Sequence, residues 1–103
     1  MKQVVFKMKL KHGFEDEYRK RHDEIWPDLV TLLKQSGIKS YSIFFDKETD
    51  TLIAVQYIDE GITANLQENA VMIKWWEHMA DLMETNPDKS PTVVSLENVF
   101  SMP

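Results

Sequence analysis

Hydrophobic and polar positions alternate with a period of two at the start of the chain, which is typical of a half-buried β-strand. A similar alternation occupies residues 38–45. A third strand is predicted over residues 51–58, where residues 52–55 are apolar on both faces, as expected of a strand in the middle of a covered sheet. The polar stretch between these two segments predicts a hairpin, so they should pair antiparallel. The inward positions of the first strand are Val4, Phe6, Met8 and Leu10.

Two other regions follow a helical period. Acidic residues at 15–17 favour the start of a helix near residue 14, and Pro27 is expected to kink that helix or to restart it as a second one capped by Gly37. A later helix must end before Pro87, and residues 92–100 should then be extended. The apolar face of this later helix is formed by Met72, Trp75, Trp76, Met79, Leu82 and Met83.

The predicted order is strand, helix, strand, strand, helix and strand, which is the ferredoxin-like βαββαβ order. This is an α+β fold with an antiparallel sheet and both helices on one face. Residues 62–69 are expected to form at most a short helical turn. The other face of the sheet would be bare in a chain of 103 residues, so a homodimer that closes into an α+β barrel is expected. Since no linker or repeat is visible, residues 1–103 should form a single domain.

Composition narrows the classes of partner. A formal charge of -5 argues against nucleic acid or an anionic membrane, and Lys7, Lys9 and Lys11 alternate as on a solvated strand face. The absence of cysteine excludes disulfides and thiolate metal sites. No run approaches the roughly 18 apolar residues of a membrane span, and a cytosolic protein is expected. Because the three histidines are scattered and the aspartates have no ligand-like spacing, we predict no metal and no other cofactor.

Tyr18, His22 and Trp26 follow one another at intervals of four and share one helix face. A phenol and an imidazole need polar partners when buried, so they suit a small polyhydroxy ligand better than simple packing. From periodicity alone, His22 could equally be a structural histidine, and Trp75 and Trp76 would more often belong to the core. Other aromatic groups have simpler interpretations: Trp26 as a packing residue at the kink, and His12 and His78 as surface groups.

Five features of the sequence together resemble the L-rhamnose mutarotase family from end to end. They are Glu17-Tyr18-x-x-x-His22, Ile25-Trp26-Pro27-x-Leu29, Tyr41, Trp75-Trp76 and Asn86-Pro87-Asp88-x-Ser90-Pro91. The resemblance implies a dimeric ferredoxin-like enzyme that interconverts the α and β anomers of L-rhamnose. It further implies that His22 is the proton donor and that Tyr18, Tyr41, Trp75 and Trp76 contact the sugar. Residues 61–69 carry little of the family pattern, which leaves the preferred sugar open.

Anomer exchange requires that the anomeric hydroxyl lose a proton while the ring oxygen gains one. An imidazole with an ordinary pKa of about 6.5 can supply that proton near neutral pH, without a metal or redox cofactor. Tyr18, Tyr41, a carboxylate or water could be the complementary acceptor, and the sequence does not choose among them. Expected neighbours of the sugar methyl group are Met79, Phe44 or Ile43.

Two alternatives remain at this point. Small dimeric ferredoxin-like proteins include cofactor-free or haem-degrading monooxygenases, for which bound haem or oxygen uptake would be the evidence. The other alternative is a ligand-binding module without turnover, in which His22→Ala would leave affinity nearly intact.

Overall fold

A computed structural model of the chain describes residues 2–59 and 66–103, and these contain a four-stranded sheet and three α-helices. In chain order the elements are β1 (Lys2–Lys9), α1 (Glu15–Asp23), α2 (Pro27–Gln35), β2 (Ile38–Asp46), β3 (Thr51–Ile58), α3 (Ala70–Met79) and β4 (Val94–Ser95). Short 3-10 helices occupy Leu66–Glu68 and Ala80–Leu82. The first of these confirms a helical turn at the end of the 62–69 segment, whereas residues 62–65 lie outside the described ranges.

The strands lie in the order β2-β3-β1-β4, and every neighbouring pair is antiparallel. This is the ferredoxin-like order, so the predicted fold class is confirmed. The register aligns Val5 with Val55 and Val55 with Ser42, which places these three residues on the same face of the sheet. The two faces can therefore be assigned residue by residue.

Pro27 separates two helices, as the sequence predicts. Helix α1 ends at Asp23, and α2 begins at Pro27, where a residue without an amide hydrogen is tolerated because the first turn leaves that donor unpaired. Trp26 before it is extended, with φ −65° and ψ 130°. Gly37, with φ 91°, follows the C-cap Ser36 and is not itself the cap.

The hydrophobic core lies between one face of the sheet and the helices. Buried side chains from the sheet, including Met8, Leu52 and Ala54, pack in the same cluster as Leu29 of α2 and Met72 of α3. The opposite face carries half-buried Val5, Ile53 and Val55, with the exposed aromatic rings of Phe44 and Tyr57. The helices thus cover one face alone, as predicted.

The last segment differs from its prediction. Only Val94–Ser95 pairs with β1, and the amide of Leu96 adds one hydrogen bond of 2.8 Å to the oxygen of Val5. Val99 and Phe100 are 91% and 76% exposed. The polar pair Glu97-Asn98 interrupts the apolar sequence, and such residues favour strands weakly. The sequence thus predicted an extended segment over residues 92–100, but only Val94–Ser95 within it forms a paired strand.

None of the helices in the described ranges is long and apolar enough to cross a membrane.

Candidate functional site

A cavity of about 570 Å³ lies between the helices and the core face of the sheet. All five residues singled out in the sequence line it: Tyr18 and His22 on α1, Tyr41 on β2, and Trp75 and Trp76 on α3. These positions are far apart in sequence, so only the fold can bring them together. The cavity is therefore the candidate functional site.

The aromatic rings of α1 and α3 meet around His22. The ring centres of Tyr18 and His22 are 4.3 Å apart, with planes inclined by 30°, because a spacing of four residues stacks side chains on one helix face. The ring of Trp75 lies 5.4 Å from that of His22 and nearly perpendicular to it, at 88°. The imidazole is thus held between a phenol and an indole.

One nitrogen of His22 is engaged within its own helix. Nδ1 lies 3.0 Å from the main-chain oxygen of Tyr18. Because a carbonyl oxygen only accepts hydrogen bonds, Nδ1 is the donor and carries a hydrogen. The neutral ring therefore has its lone pair on Nε2, and Nε2 is the nitrogen available to exchange a proton with a ligand.

Burial lowers the pKa of His22 below 6.5, because desolvation penalises the imidazolium. The hydrogen bond to the oxygen of Tyr18 and the carboxylate of Asp23 act in the opposite direction, and they offset part of this effect. The neutral imidazole is consequently the main form of His22 at neutral pH.

The two phenols remain protonated at neutral pH. Burial raises the pKa of Tyr18, which is 8% exposed. Desolvation also raises the pKa of Tyr41 to about 12, although 38% of the residue surface is exposed, and a hydrogen bond from Gln56 on the neighbouring strand opposes the rise. Phenols in this state donate hydrogen bonds but do not take up protons at neutral pH. Of the acceptors considered from the sequence, a carboxylate or water remains.

The two tryptophans on α3 have different surroundings. Trp75 is 6% exposed and its ring also packs against those of Trp26 and His78, with centres 5.2 and 5.7 Å away. Trp76 is half-buried. Adjacent positions on a helix point about 100° apart, which explains why Trp75 is shared between core and cavity while Trp76 is more open. Trp26 packs at the junction of α1 and α2, as predicted.

The rest of the cavity wall is mainly apolar. It includes Ile43 and Met79, two of the three residues expected near a sugar methyl group. Phe44, the third, also borders the cavity, but the register places its side chain with Ile53 on the opposite face of the sheet, so that expectation is not met for its ring. Among residues 2–59 and 66–103, no group of three histidine, aspartate or glutamate side chains could hold a metal ion. The chemistry that the described cavity offers is therefore proton exchange at one imidazole, hydrogen bonding from phenols and indoles, and contact with aromatic and aliphatic surfaces.

Comparison with known proteins identifies the family of this chain. The family model for L-rhamnose mutarotase matches residues 3–102. The chain belongs to the L-rhamnose mutarotase family. It is 57% identical over 100 residues to the L-rhamnose mutarotase of Rhizobium etli, covering 96% of this chain and 94% of that one. It is 53% identical over 99 residues to the L-rhamnose mutarotase of Flavobacterium johnsoniae, covering 95% and 92%.

A solved structure agrees with this assignment. The crystal structure of an L-rhamnose mutarotase from Formosa agariphila covers 100% of both chains with a TM-score of 0.93 and 46% identity. The resemblance noted in the sequence is thereby confirmed, together with the fold. Membership of this family favours an isomerase over the monooxygenase and the binding module.

Three charged residues of α1 line the cavity although they were not selected from the sequence. They are Glu15, Arg19 and Asp23. Glu15 and Arg19 lie three residues before Tyr18 and His22 and are therefore their neighbours on the helix surface, whereas Asp23 directly follows His22. The helical period could thus have indicated Glu15 and Arg19. The acidic residue at position 15 was interpreted only as a favourable charge at the helix start. Gln56, which supports Tyr41, could be found only from the β2–β3 register.

Proposed function

We propose that this protein is an isomerase that interconverts the α and β anomers of L-rhamnose. Its relatives from Rhizobium etli and Flavobacterium johnsoniae are L-rhamnose mutarotases. The observation that carries the proposal is the common cavity, which is lined by the imidazole of His22, the phenols of Tyr18 and Tyr41 and the two indoles of α3. A monosaccharide needs such groups for both binding and proton exchange.

His22 is the proton donor in this proposal. The imidazolium form of His22 is the one that reacts: its Nε2 gives a proton to the ring oxygen and the imidazole becomes neutral. At the same time the anomeric hydroxyl loses a proton to Glu15, Asp23 or water, and the bond between the anomeric carbon and the ring oxygen breaks. Rotation of the resulting aldehyde presents its other face. The ring oxygen then attacks the carbonyl carbon, its proton returns to Nε2, and the new anomeric oxygen recovers the other proton. Atoms and charges balance, and no redox step occurs.

The remaining four residues bind and orient the sugar. The phenols of Tyr18 and Tyr41 stay protonated, so they can donate to sugar oxygens. The indole faces of Trp75 and Trp76 offer surfaces for the C–H groups of the ring, and their N–H groups can donate as well. The apolar wall next to them suits the methyl group of a 6-deoxyhexose.

Saturation-transfer NMR on the anomeric protons tests this proposal, because it measures exchange between anomers at equilibrium. We expect transfer with L-rhamnose to exceed the uncatalysed rate and His22→Ala to reduce the acceleration by about 100- to 10,000-fold. His12→Ala is the matched control, since His12 is an exposed histidine outside the cavity lining, and it should retain the wild-type rate. If neither L-rhamnose nor any other 6-deoxyhexose or pentose exchanges above background, the proposed activity is wrong.

We also propose that two copies of this chain form a symmetric dimer through the uncovered face of the sheet. Its centre is half-buried and apolar at Val5, Ile53 and Val55, and Phe44 and Tyr57 are 61% and 42% exposed beside it. Exposed apolar area of this kind is costly unless a partner covers it. Sedimentation should give twice the mass of the chain, and Val55→Glu should give the monomer, whereas Lys47→Glu in the exposed β2–β3 turn should not. A wild-type monomer at high concentration would refute the dimer.

A further inference from the structure

Arg21 connects α1 to the C-terminal end of α3. Its Nη1 donates to the main-chain oxygen of His78 at 2.6 Å and to Asp81 Oδ1 at 2.8 Å, and its Nη2 donates to Asp81 Oδ2 at 3.2 Å. Its Nε donates to Glu17, one turn earlier on α1, at 3.1 Å. We call these four residues the Arg21 clamp. All three guanidinium nitrogens are used, which fixes the group on both helices.

The clamp differs from an ordinary surface ion pair in the geometry and exposure of its arginine. The Arg21 side chain is only 17% exposed, although that of Asp81 is 65% exposed. The hydrogen bonds from Arg21 hold the pKa of Asp81 below 3.8, so the pair remains charged over the working pH range. The oxygen of His78 lies near the end of α3, where a positive charge is favoured by the helix dipole.

The clamp lies next to the contact between His22 and Trp75. Arg21 immediately precedes His22 on α1, while His78 lies one turn after Trp75 on α3. The clamp and the ring contact of 5.4 Å therefore join the same two helices at neighbouring points. A change in the distance between the helices would move the imidazole relative to the indole and widen the cavity.

We propose that Arg21 is a positioning residue, whose hydrogen bonds to Asp81 and to the His78 oxygen hold His22 against Trp75 in the orientation needed for proton transfer. This rests on the proposed role of His22. A displacement of about 1 Å at a reacting group can cost about 100-fold in rate, so the clamp need move only slightly to matter. The planar fork is essential to this action, because lysine carries the same charge but cannot bond two oxygens of Asp81 in one plane.

Four variants separate positioning from simple stabilisation. Arg21→Gln removes charge and fork, Arg21→Lys keeps the charge, and Asp81→Asn weakens the partner at an exposed position where misfolding is a small risk. Lys20→Gln, an exposed cation on the same helix, is the control. We expect kcat to fall by about 10- to 100-fold in Arg21→Gln and less in the other two clamp variants, with KM nearly constant and the control unchanged.

The second measurement does not depend on turnover. NMR follows the titration of the His22 ring and its cross-relaxation with Trp75. The titratable groups around this ring lie on three elements: Glu15, Tyr18, Arg19 and Asp23 on its own helix, Tyr41 on β2, and His78 beyond Trp75. In Arg21→Lys, a rise of the His22 pKa together with weaker cross-relaxation would report a shifted, more hydrated ring, since the charge is retained.

The outcomes are distinct. Reduced kcat with altered His22 signals supports the positioning role. Unchanged His22 signals, or a full rate per folded molecule with only a lower melting temperature, would overturn it and leave Arg21 a structural residue. A wild-type protein without mutarotase activity, whose His22 signals still respond to the clamp variants, would refute the proposed function while retaining the geometric effect of the clamp.

Discussion

The Nδ1 of His22 donates a hydrogen bond of 3.0 Å to the main-chain oxygen of Tyr18, one turn earlier on the same helix. This bond has two consequences. It fixes which nitrogen of the neutral ring is free, and it restricts the imidazole to the orientation in which it stacks on Tyr18 at 4.3 Å. Nδ1 therefore holds the ring in place, while Nε2 is left for proton exchange. A variant that replaces only one of the two nitrogens can test the two roles separately.

His22→Asn should separate them. The amide nitrogen of asparagine can take the place of Nδ1 and donate to the oxygen of Tyr18, but nothing replaces Nε2. We expect His22→Asn and His22→Ala to be about equally inactive, whereas His22→Asn should be more stable by about 1 kcal/mol, the net value of one hydrogen bond. Urea denaturation and anomer-exchange NMR on both variants measure the two quantities. Activity retained in His22→Asn would show that Nε2 is not needed.

The pH dependence of the rate follows from the donor role. Burial lowers the pKa of His22 below 6.5, and the imidazolium is the form that gives the proton. Because kcat/KM reports ionisations of the free enzyme, it should fall as the pH rises through the His22 pKa, with a midpoint below 6.5. The NMR titration of His22 supplies an independent value for that midpoint. A rate that instead increases with pH through the same midpoint would make His22 the proton acceptor.

The elements of this fold could be predicted from the sequence because each has a strong local signal. Period-two alternation located β1, the polar turn fixed the β2–β3 hairpin, and Pro27 divided the first helical region. The end of the chain was harder, since β4 is two residues long and its pairing depends on β1 more than on its own sequence. Local patterns cannot reveal a strand that tertiary contacts determine.

The sequence predicted which residues line the candidate site, but it could not predict their pKa values or ion pairs. The four-residue spacing of Tyr18 and His22 and the family resemblance selected side chains that the structure places on one cavity. The raised pKa values of the phenols depend on burial, which no sequence spacing reports. The Arg21 clamp joins residues 57 and 60 positions apart, so its existence also required the packing of α1 on α3.

Stability should depend on pH through the same histidine. The folded protein lowers the pKa of His22, whereas the unfolded chain has the ordinary value of 6.5, so the unfolded state binds the proton more readily. The contribution of this group is complete above pH 6.5 and is lost as the pH falls through 6.5 toward the folded pKa. As the pH falls below 6.5, the unfolding free energy of the wild type should therefore decrease relative to that of His22→Asn. Denaturation at several pH values tests this.

That stability window is separate from the one expected of the clamp. The pKa of Asp81 is held below 3.8 by Arg21, so its contribution is present above 3.8 and is lost as the pH falls through the lower folded value. If the loss of stability as the pH falls below 6.5 persists in His22→Asn, another group causes it.

Trp75 and Trp76 should respond differently to truncation, although they are adjacent. Trp75 is 6% exposed and packs against Trp26, His78 and His22, so Trp75→Ala removes a large buried ring and should cost about 3–5 kcal/mol of unfolding free energy. Trp76 is half-buried, and Trp76→Ala should cost less stability while it weakens sugar binding through the loss of the indole surface. Denaturant unfolding and titration with L-rhamnose measure both effects. Equal loss of stability in the two variants would contradict the inference that Trp75 mainly stabilises the core and Trp76 mainly binds the sugar, because it would place Trp76 in the core alongside Trp75.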